Sequence, residues 1–285
     1  MTAKWQRWKG IQKCYPFEES RLAKWKPPFI IQIKYDGNRC RNDPLQNNSL
    51  LLTSEENIFY SVPHINEQLD SSGLFNFPLD GELYNHDVHK EGGHELIHSI
   101  VSRTINLHPR YKEIEFHIFD LKYPTMPQLE RLIALEKLKD AGLPKNIVIA
   151  PFWICYTLDE IKSVYDKIIN LKHEGIIVRH HMADYRDSRS IFVMKLKPKK
   201  KDDYKIVGYN EEISKDGVPK DRLGSIMCSS QVGDTFSVSA GLNDNDREYF
   251  WSIRDSLIGK TCEVYYQHLS NRKVPKGSFD LRIKE

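Results

Sequence analysis

The sequence predicts an α+β protein of two domains: a larger one, in which helices flank antiparallel sheets, and a smaller β-barrel. Its 285 residues are enough for two such domains. Up to about residue 201, apolar runs of strand length alternate with segments of helical period. Beyond that point the runs are shorter and alternating, and glycine-containing turns separate them. A lysine-rich segment separates the two parts, and we place the domain boundary between residues 202 and 203.

The first domain begins with a mixture of basic and aromatic residues that we expect to pack on the first strand. The Pro27-Pro28 pair ends any helix there, and the apolar run from Phe29 to Ile31 predicts a buried strand. Further strands are predicted at 49–53, 58–62, 77–84, 114–121, 146–154, 175–179 and 192–197, and helices at 62–70, 92–106, 128–141 and 158–171. The helix over 128–141 has a clean apolar face and is stopped by Gly142 and Pro144.

The second domain contains five short alternating runs and one helix. The runs are at 204–209, 225–229, 235–238, 261–266 and 281–284, and the helix is near 243–257. Five short strands with a helix between the third and the fourth are typical of a small closed barrel of the OB type. We therefore expect residues 203–285 to form an OB-fold barrel that follows a charged hinge.

Composition indicates a protein of the aqueous cell interior. The hydrophobic share is 40% and the charged share 28%. No apolar run nears the ~20 residues that span a bilayer, and the first residues lack the apolar core of a signal peptide. Five scattered cysteines without a CxxC pair favour reduced thiols. We expect a cytoplasmic protein (in the host cytoplasm if it is viral) with no membrane partner, and the net charge of +3 permits a nucleic-acid partner.

Charged residues stand at the ends of several predicted strands of the first domain. Lys34 ends one strand, Glu82 follows an Asp-Gly turn, and Glu174 precedes a third strand. Lys195 and Lys197 alternate on one strand, so their side chains point the same way. Singly, each has a more ordinary explanation: a turn acid, a helix end or a solvated lysine. Together they would place two carboxylates and three ammonium groups around one cleft.

Such a cleft suits nucleotidyl transfer. A nucleoside triphosphate needs cations at its phosphates, a divalent ion held by carboxylates, and a nucleophile in line with the leaving pyrophosphate. A free lysine has a pKa near 10.4 and is mostly protonated, but desolvation and neighbouring cations lower that pKa. Lys195, Lys197 and a bound metal could supply those cations. The expected product of attack by Lys34 is a lysyl–nucleotide phosphoramidate.

Five motifs resemble, in their order, those of the covalent nucleotidyltransferase superfamily, and most closely those of ATP-dependent DNA ligases of the minimal phage, viral or bacterial type. They are Lys34-Tyr35-Asp36-Gly37-Asn38-Arg39, which resembles KxDGxR, Asp80-Gly81-Glu82-Leu83, Phe116-His117-Ile118-Phe119-Asp120, Glu174-Gly175-Ile176-Ile177-Val178-Arg179 and Lys195-Leu196-Lys197. The resemblance implies an adenylation (nucleotidyltransferase) domain of ATP-grasp-like fold over residues 1–202 and an OB-fold domain over 203–285.

The resemblance also implies roles for single residues. Lys34 would take AMP from ATP, and Glu82 and Glu174 would hold Mg²⁺ or Mn²⁺. Phe119 would stack on adenine, and Gln32 stands where the family usually has a glutamate that contacts the adenine amino group. The other nucleotide contacts would come from Ile33, Arg39, Glu82, Arg189, Lys195 and Lys197.

The partner that the resemblance implies is nicked double-stranded DNA, sealed by a minimal, monomeric enzyme. The residues expected to contact it are Arg39, Arg41, Lys199, Lys200 and Lys201. Many relatives carry an arginine after the second strand that meets the 5′-phosphate of the nick. Here the corresponding stretch, residues 53–57, reads Thr-Ser-Glu-Glu-Asn, and Arg41 is the candidate substitute.

Two alternatives remain open. An RNA ligase or a GTP-dependent capping enzyme would use the same covalent chemistry on another substrate. A non-catalytic nucleic-acid-binding protein could have kept the fold, although the intact motifs argue against it. One further group, His86, His89, His94 and His98, is interpreted as a polar surface loop and not a metal site, because its spacing is loose.

Overall fold

The computed structural model describes residues 10–45, 48–198, 200–266, 268–270, 272–276 and 280–284. The chain divides into two compact units between Leu196 and Lys197. Both units combine largely antiparallel sheets with helices, so the predicted α+β class is confirmed. No helix of the described residues combines the length and apolar character needed to cross a membrane.

The described residues of the first unit form ten strands in two sheets. The strands are β1 (Lys13–Pro16), β2 (Phe29–Lys34), β3 (Asn38–Leu45), β4 (Asn48–Leu52), β5 (Leu79–Tyr84), β6 (Glu115–Leu121), β7 (Ile147–Ile149), β8 (Phe152–Cys155), β9 (Gly175–His180) and β10 (Arg189–Leu196). Sheet one has the order β1-β10-β9-β2-β8, and sheet two has the order β4-β3-β5-β6-β7. All pairs are antiparallel except β1 with β10 and β6 with β7.

Five helices surround these sheets. They are α1 (Glu19–Leu22), α2 (Pro63–Ser72), α3 (His86–Val101), α4 (Gln128–Asp140) and α5 (Leu158–Asn170), with short 3₁₀ turns at Leu74–Asn76 and Tyr111–Glu113. The apolar residues of α2, α3 and α4 join one core with sheet two. Those of α5 join a second core with sheet one, where Ile161 and Ile168 are fully buried. Both cores follow from the helical repeat of apolar residues in the sequence.

The chain changes sheets between β2 and β3. Tyr35, Asp36 and Gly37 form the connection, so Lys34 ends a strand of sheet one and Arg39 lies in sheet two. Gly37 is required here because a Cβ atom at this position would overlap the carbonyl oxygen of Leu83 on β5. One short motif therefore contributes side chains to both sheets.

Three predicted elements of this unit differ from the structure. The predicted strand over 146–154 is two strands, because Pro151 breaks the run and the chain passes from sheet two to sheet one. Residues 58–62 make only an isolated bridge, between Ile58 and Leu52. The histidine group lies on α3 and not in a loop, because the Asn85 side chain caps a helix that begins at His86.

The basic and aromatic lead-in packs as expected where it is described. Trp25 and Leu22 are buried in the second core. The sequence did not predict β1, whose parallel pairing with β10 makes it the edge strand of sheet one. Residues 1–9 of the lead-in lie outside the described residues.

Where the second unit is described, it forms a five-stranded antiparallel sheet with two short helices and a small hairpin. Its elements are β11 (Lys200–Ile213), β12 (Pro219–Ser229), β13 (Thr235–Val238), α6 (Asp244–Ser252), α7 (Arg254–Leu257), β14 (Thr261–Tyr266), β15 (His268–Leu269), β16 (Pro275–Lys276) and β17 (Asp280–Ile283). The sheet order is β13-β12-β11-β14-β17, and the helices lie between β13 and β14 in the chain, as predicted. The strand pairs found among the described residues do not join β17 to β13, so closure of the barrel stays a prediction.

Candidate active site

A cleft of about 540 Å³, open to solvent, is lined by residues of both sheets of the first unit. Six residues that were predicted to act together are in its lining: Gln32, Ile33, Lys34, Arg39, Glu82 and Phe119. On β2 the side chains alternate, so Gln32 and Lys34 share one face while Ile31 and Ile33 belong to the core against α5. The cleft therefore takes its polar groups from one side of a strand that is otherwise buried.

Lys34 forms a direct ion pair with Glu174 across neighbouring strands of sheet one. Its Nζ atom donates a hydrogen bond to Oε2 of Glu174, which immediately precedes β9. The register explains the contact, because Lys34 pairs with Gly175. The two side chains are only 21% and 16% exposed. The lysine thus points into the cleft and meets a carboxylate there.

This ion pair determines the charge of the lysine. Burial alone would lower the pKa of Lys34, but the charge and hydrogen bond of Glu174, with help from Glu82, raise it above its ordinary value. In the nucleotide-free cleft the amine is therefore an ammonium ion. The expected lowering of its pKa by cations is absent in this state, because the nearest charged group is a carboxylate.

Glu82 faces the same space from β5. Burial raises the pKa of Glu82 to about 8, although the charges of Arg39 and Lys34 act in the opposite sense. Arg39 pairs with Glu82 in the β3–β5 register. Because this carboxyl is poorly solvated, its charged form gains from any cation that enters the cleft.

Arg39 is held firmly in one orientation. Its Nε atom donates to Oδ1 of Asp80 at 2.6 Å, and the hydroxyl of Tyr185 donates to Oδ2 of the same carboxylate at 2.7 Å. Asp80 is fully buried. The guanidinium lies 4.6 Å from the centre of the Phe119 ring. A base that stacks on Phe119 must therefore share this ring with Arg39.

Gln32 lines the cleft and has one amide oxygen without a hydrogen-bond partner among the described residues. Its Nε2 atom donates to the backbone carbonyl of Phe119 at 2.9 Å, which fixes the orientation of the amide. Its Oε1 atom is buried and has no hydrogen-bond partner among the described residues. Buried polar atoms normally have partners, so this atom suits a ligand that brings an N–H donor.

A buried ion network includes two lining residues of the cleft, Gln12 and Arg179. Asp120 accepts hydrogen bonds from Arg131 at 2.7 Å and from Arg179 at 3.1 Å. Arg179 also donates hydrogen bonds to the side-chain oxygens of Gln12 and Gln128, at 3.0 and 3.1 Å. All these partners lie in the first unit, and they hold the guanidinium of Arg179 5.6 Å from the Phe119 ring centre.

Other predicted residues lie beside the cleft. Lys195 shares a strand face with Val193, which lines the cleft, and it pairs with Ile177, which also lines it. Arg189, at the start of β10, donates to the carbonyl of Cys14 at 2.6 Å. Neither Lys195 nor Arg189 is in the lining itself.

Three predicted DNA-contacting residues, Arg41, Lys200 and Lys201, are not in the lining of the cleft. Arg41 is buried, and its guanidinium is held by the Gly10 carbonyl at 2.8 Å and by Asp43 at 2.9 Å, which does not support a DNA contact. Lys200 and Lys201 belong to the second unit, as does the predicted nucleotide contact Lys197. Lys199 lies outside the described residues.

Six lining residues were not predicted. They are Gln12, Cys14, Tyr35, Ile177, Arg179 and Val193. A signal was available for Arg179, which ends the fourth motif and alternates with Ile177 on β9. No signal was available for Gln12 and Cys14, because β1 is short and polar and only its pairing with β10 places it at the cleft.

No group of three or more histidine, cysteine or acidic side chains is placed to hold a metal ion in the described ranges. Glu174 contacts the Lys34 amine directly, and the charge of Glu82 raises the pKa of the same amine. A divalent cation at this pair would need further oxygen ligands, such as phosphate oxygens or water.

Two family models match the chain. The model of the family described as ATP dependent DNA ligase domain matches residues 12–197. That of the DNA ligase OB-like domain matches residues 215–283. The chain belongs to the ATP-dependent DNA ligases. The ligase accordingly uses ATP, forms an adenylate intermediate and acts on DNA.

Known proteins resemble the ligase over most of its length. The DNA ligase of Haemophilus influenzae is 23% identical over 209 residues, which cover 70% of this chain and 69% of that protein. A Lig E DNA ligase structure aligns with a TM-score of 0.73 at 20% identity and covers 96% of this chain and 99% of its own. The structure named Pmar-Lig_PreS3 aligns with a TM-score of 0.80 at 20% identity, covering 97% and 67%. These structures confirm the two-part fold of the ligase.

Proposed function

We propose that Lys34 carries AMP in this ligase and that nicked double-stranded DNA is the substrate. The observation that carries this proposal is the Lys34–Glu174 ion pair inside a cleft that also contains Glu82. A lysine exposed to bulk water would offer no such support. Here the amine is sheltered, and two carboxylates act on it.

The proposed reaction has three steps. The neutral Lys34 amine attacks the α-phosphorus of ATP, a P–N bond forms, and the P–O bond to pyrophosphate breaks. The 5′-phosphate of the nick then attacks the same phosphorus, the P–N bond breaks, and a DNA-adenylate forms. Finally the 3′-hydroxyl attacks the 5′-phosphorus and AMP leaves.

In the first step Glu174 would orient the lysine amine, and Glu174 and Glu82 together would hold a metal ion. The Glu174 oxygen orients the Lys34 amine through the hydrogen bond it already accepts. Both carboxylates suit Mg²⁺ or Mn²⁺, which take oxygen ligands. When bound, such an ion supplies charge neutralisation at the phosphate oxygens. Glu174 and Glu82 would hold such an ion, and a cation beside Glu174 would lower the pKa of the Lys34 amine.

Gln32 supports a preference for ATP over GTP. Its Nε2 atom donates to the Phe119 carbonyl, and its Oε1 acceptor has no partner among the described residues. The adenine amino group donates a hydrogen bond, whereas guanine presents a carbonyl oxygen at the equivalent position, and two acceptors would face each other. This favours the ligase over the capping alternative, and Phe119 supplies an aromatic ring beside Gln32.

The remaining roles follow the motifs. The nucleotide would also be contacted by Ile33, Arg39, Arg189, Lys195 and Lys197, and DNA by Arg39, Lys199, Lys200 and Lys201. We assign the adenylation domain to residues 1–202 and the OB domain to residues 203–285. The division of the chain into two compact units between residues 196 and 197 supports two domains. We further propose a monomer that acts in the cytoplasm.

The test is incubation with α-labelled ATP and Mg²⁺. Wild type and the control Lys137→Ala, an exposed lysine of α4, should become labelled, and Lys34→Ala should not. An unlabelled wild type would end the proposal. Labelling in parallel with GTP separates capping from ligation, and nicks with DNA or RNA strands separate DNA ligase from RNA ligase.

A further inference from the structure

One residue outside the five motifs, Tyr185, lies against the carboxylate that holds Arg39. Tyr185 follows β9 in the chain and is 2% exposed. Its hydroxyl donates a hydrogen bond to Oδ2 of Asp80 at 2.7 Å, and Oδ1 of the same carboxylate accepts from Nε of Arg39 at 2.6 Å. The Tyr185 hydroxyl therefore acts on Arg39 through a shared carboxylate.

Gln12 closes these contacts into a ring. Its backbone N–H donates to the Tyr185 hydroxyl at 3.2 Å, and its backbone carbonyl accepts from Arg39 at 3.3 Å. Arg39, Asp80, Tyr185 and Gln12 are thus joined by a continuous set of hydrogen bonds. They belong to β3, β5, the connection between β9 and β10, and the residue that precedes β1. The ring therefore joins both sheets of the first unit at one side chain of the cleft.

The hydroxyl completes the ring because it donates and accepts at once. A phenolic oxygen carries one donor and can also accept a hydrogen bond. Asp80 and Gln12 are only 1% and 3% exposed, so water cannot replace the hydroxyl without a local rearrangement. Loss of the hydroxyl would leave the buried N–H of Gln12 unpaired and remove one partner from Asp80.

The aromatic ring of Tyr185 has a separate, packing role. Its centre lies 5.7 Å from the guanidinium carbon of Arg131, which belongs to the buried Asp120 network. A phenylalanine would keep this contact and lose only the hydroxyl. The two roles can therefore be separated by one substitution.

The hydrogen-bonded ring ends at the cleft. Arg39 and Gln12 are in the lining, whereas Tyr185 and Asp80 are not. The Arg39 side chain is 24% exposed and Asp80 only 1%, so the guanidinium is anchored on its buried side and accessible on the other. A side chain that is fixed before its ligand arrives loses less conformational freedom on binding.

We propose that the Tyr185 hydroxyl is a positioning group that, through Asp80 and Gln12, fixes the Arg39 guanidinium for contact with the bound nucleotide. The inference rests on the proposed function, in which Arg39 contacts the nucleotide, and it assigns a residue outside the five motifs. Its effect is on the affinity for ATP, because Lys34 has its own partner in Glu174.

The experiment compares Tyr185→Phe with wild type in self-adenylylation at varied concentrations of α-labelled ATP. Tyr266→Phe is the matched control, because Tyr266 is also buried and its hydroxyl also donates to a carboxylate, that of Asp202, but in the second unit. Thermal melting verifies that each variant is folded. The same comparison is repeated in an Arg39→Met background, which lacks the guanidinium.

Loss of the hydroxyl should raise the KM for ATP by about fivefold and leave the rate at saturating ATP within about twofold of wild type. Tyr266→Phe should leave both values unchanged. In the Arg39→Met background Tyr185→Phe should no longer raise the KM, because the group that it positions is absent. A folded Tyr185→Phe with the KM of wild type would overturn the proposal, and so would an equal rise in the KM with and without Arg39.

The outcome is separate from the assignment of Lys34. If wild type is not labelled, or if Lys34→Ala is labelled, the proposed function fails whatever Tyr185 does. If labelling requires Lys34 and the KM of Tyr185→Phe equals that of wild type, only the inference about Tyr185 fails.

Discussion

At the scale of single residues, the surroundings in the nucleotide-free cleft keep Lys34 protonated and Glu82 largely uncharged. Lys34 is a cation because Glu174 lies against it, and Glu82 is poorly ionised because it is buried. Lys34, the proposed nucleophile, is therefore protonated in the nucleotide-free state. We expect it to react only after phosphates have entered the cleft and changed the charge around both groups.

The buried carboxyl of Glu82 makes stability depend on pH. It titrates near 4.5 in the unfolded chain and at about 8 in the folded protein, because burial raises its pKa. Between these pH values the folded state binds more protons, so stability falls as pH rises through this window. Glu82→Gln should remove this loss and gain stability relative to wild type, on the order of a few kcal/mol, between pH 5 and pH 8.

Urea denaturation in EDTA at pH 5, 6.5 and 8 measures this difference, since EDTA removes cations that would stabilise the charged form. The control is Glu136→Gln on the exposed side of α4, where Glu136 pairs with Lys139. A gain from Glu82→Gln that is the same at all three pH values would contradict the assigned pKa.

Gln32 allows a prediction about base choice. Gln32→Ala removes the acceptor that is proposed to meet the adenine amino group. A net hydrogen bond is worth about 1 kcal/mol, so the KM for ATP should rise by roughly five- to tenfold. The ratio of ATP to GTP use in self-adenylylation should fall with it. Gln32→Glu keeps an acceptor and should retain the preference for ATP, and an unchanged ratio in Gln32→Ala would exclude this role.

At the scale of elements, one buried carboxylate connects three parts of the first unit. Asp120 on β6 binds Arg131 on α4 and Arg179 on β9. Both arginines are nearly inaccessible to solvent. Removing one partner of a buried ion pair leaves an unpaired charge, which costs about 3–5 kcal/mol.

Asp120→Ala should therefore lower the free energy of unfolding by about this amount. Glu136→Ala breaks only an exposed pair, and it should change the free energy by less than about 1 kcal/mol. Urea denaturation of both variants beside wild type makes the comparison. Equal effects of the two substitutions would show that the Asp120 network contributes no more than a surface pair.

The elements also show what the sequence could and could not predict. Strand β2 and helices α4 and α5 were predictable, because apolar runs and helical repeats record burial directly. Strand β1 was not, because it is four residues long and only its partner β10 makes it a strand. The contribution of Gln12 and Cys14 to the cleft depends on that pairing and leaves no local signal.

At the scale of the whole molecule, motif order identified the family where single motifs were weak. The five motifs fall on or beside strands of two sheets that share one cleft, which no periodicity could show. The orientation of a side chain was harder to predict than the family of the chain. Arg41 follows Arg39 by two residues, yet Arg39 reaches the cleft and Arg41 is buried against Asp43, because residue 10 and the turn after β4 enclose it.

Binding of nicked DNA involves the molecule as a whole and should be mainly electrostatic. Each phosphate contact releases counterions, so the logarithm of the binding constant should fall linearly with the logarithm of salt concentration. Lys200 is exposed at the start of β11 and is proposed to meet one phosphate. Lys200→Ala should therefore reduce the salt slope by about one and weaken binding similarly for all sequences.

The measurement uses Lys34→Ala protein, which is expected not to form the adenylate, with a nicked duplex over a series of salt concentrations. Lys137→Ala in the same background should keep the slope, because it removes an equal charge from α4. If Lys200→Ala and Lys137→Ala change the slope equally, only the overall charge matters and the second unit makes no specific contact there. A flat dependence on salt would contradict phosphate-dominated binding altogether.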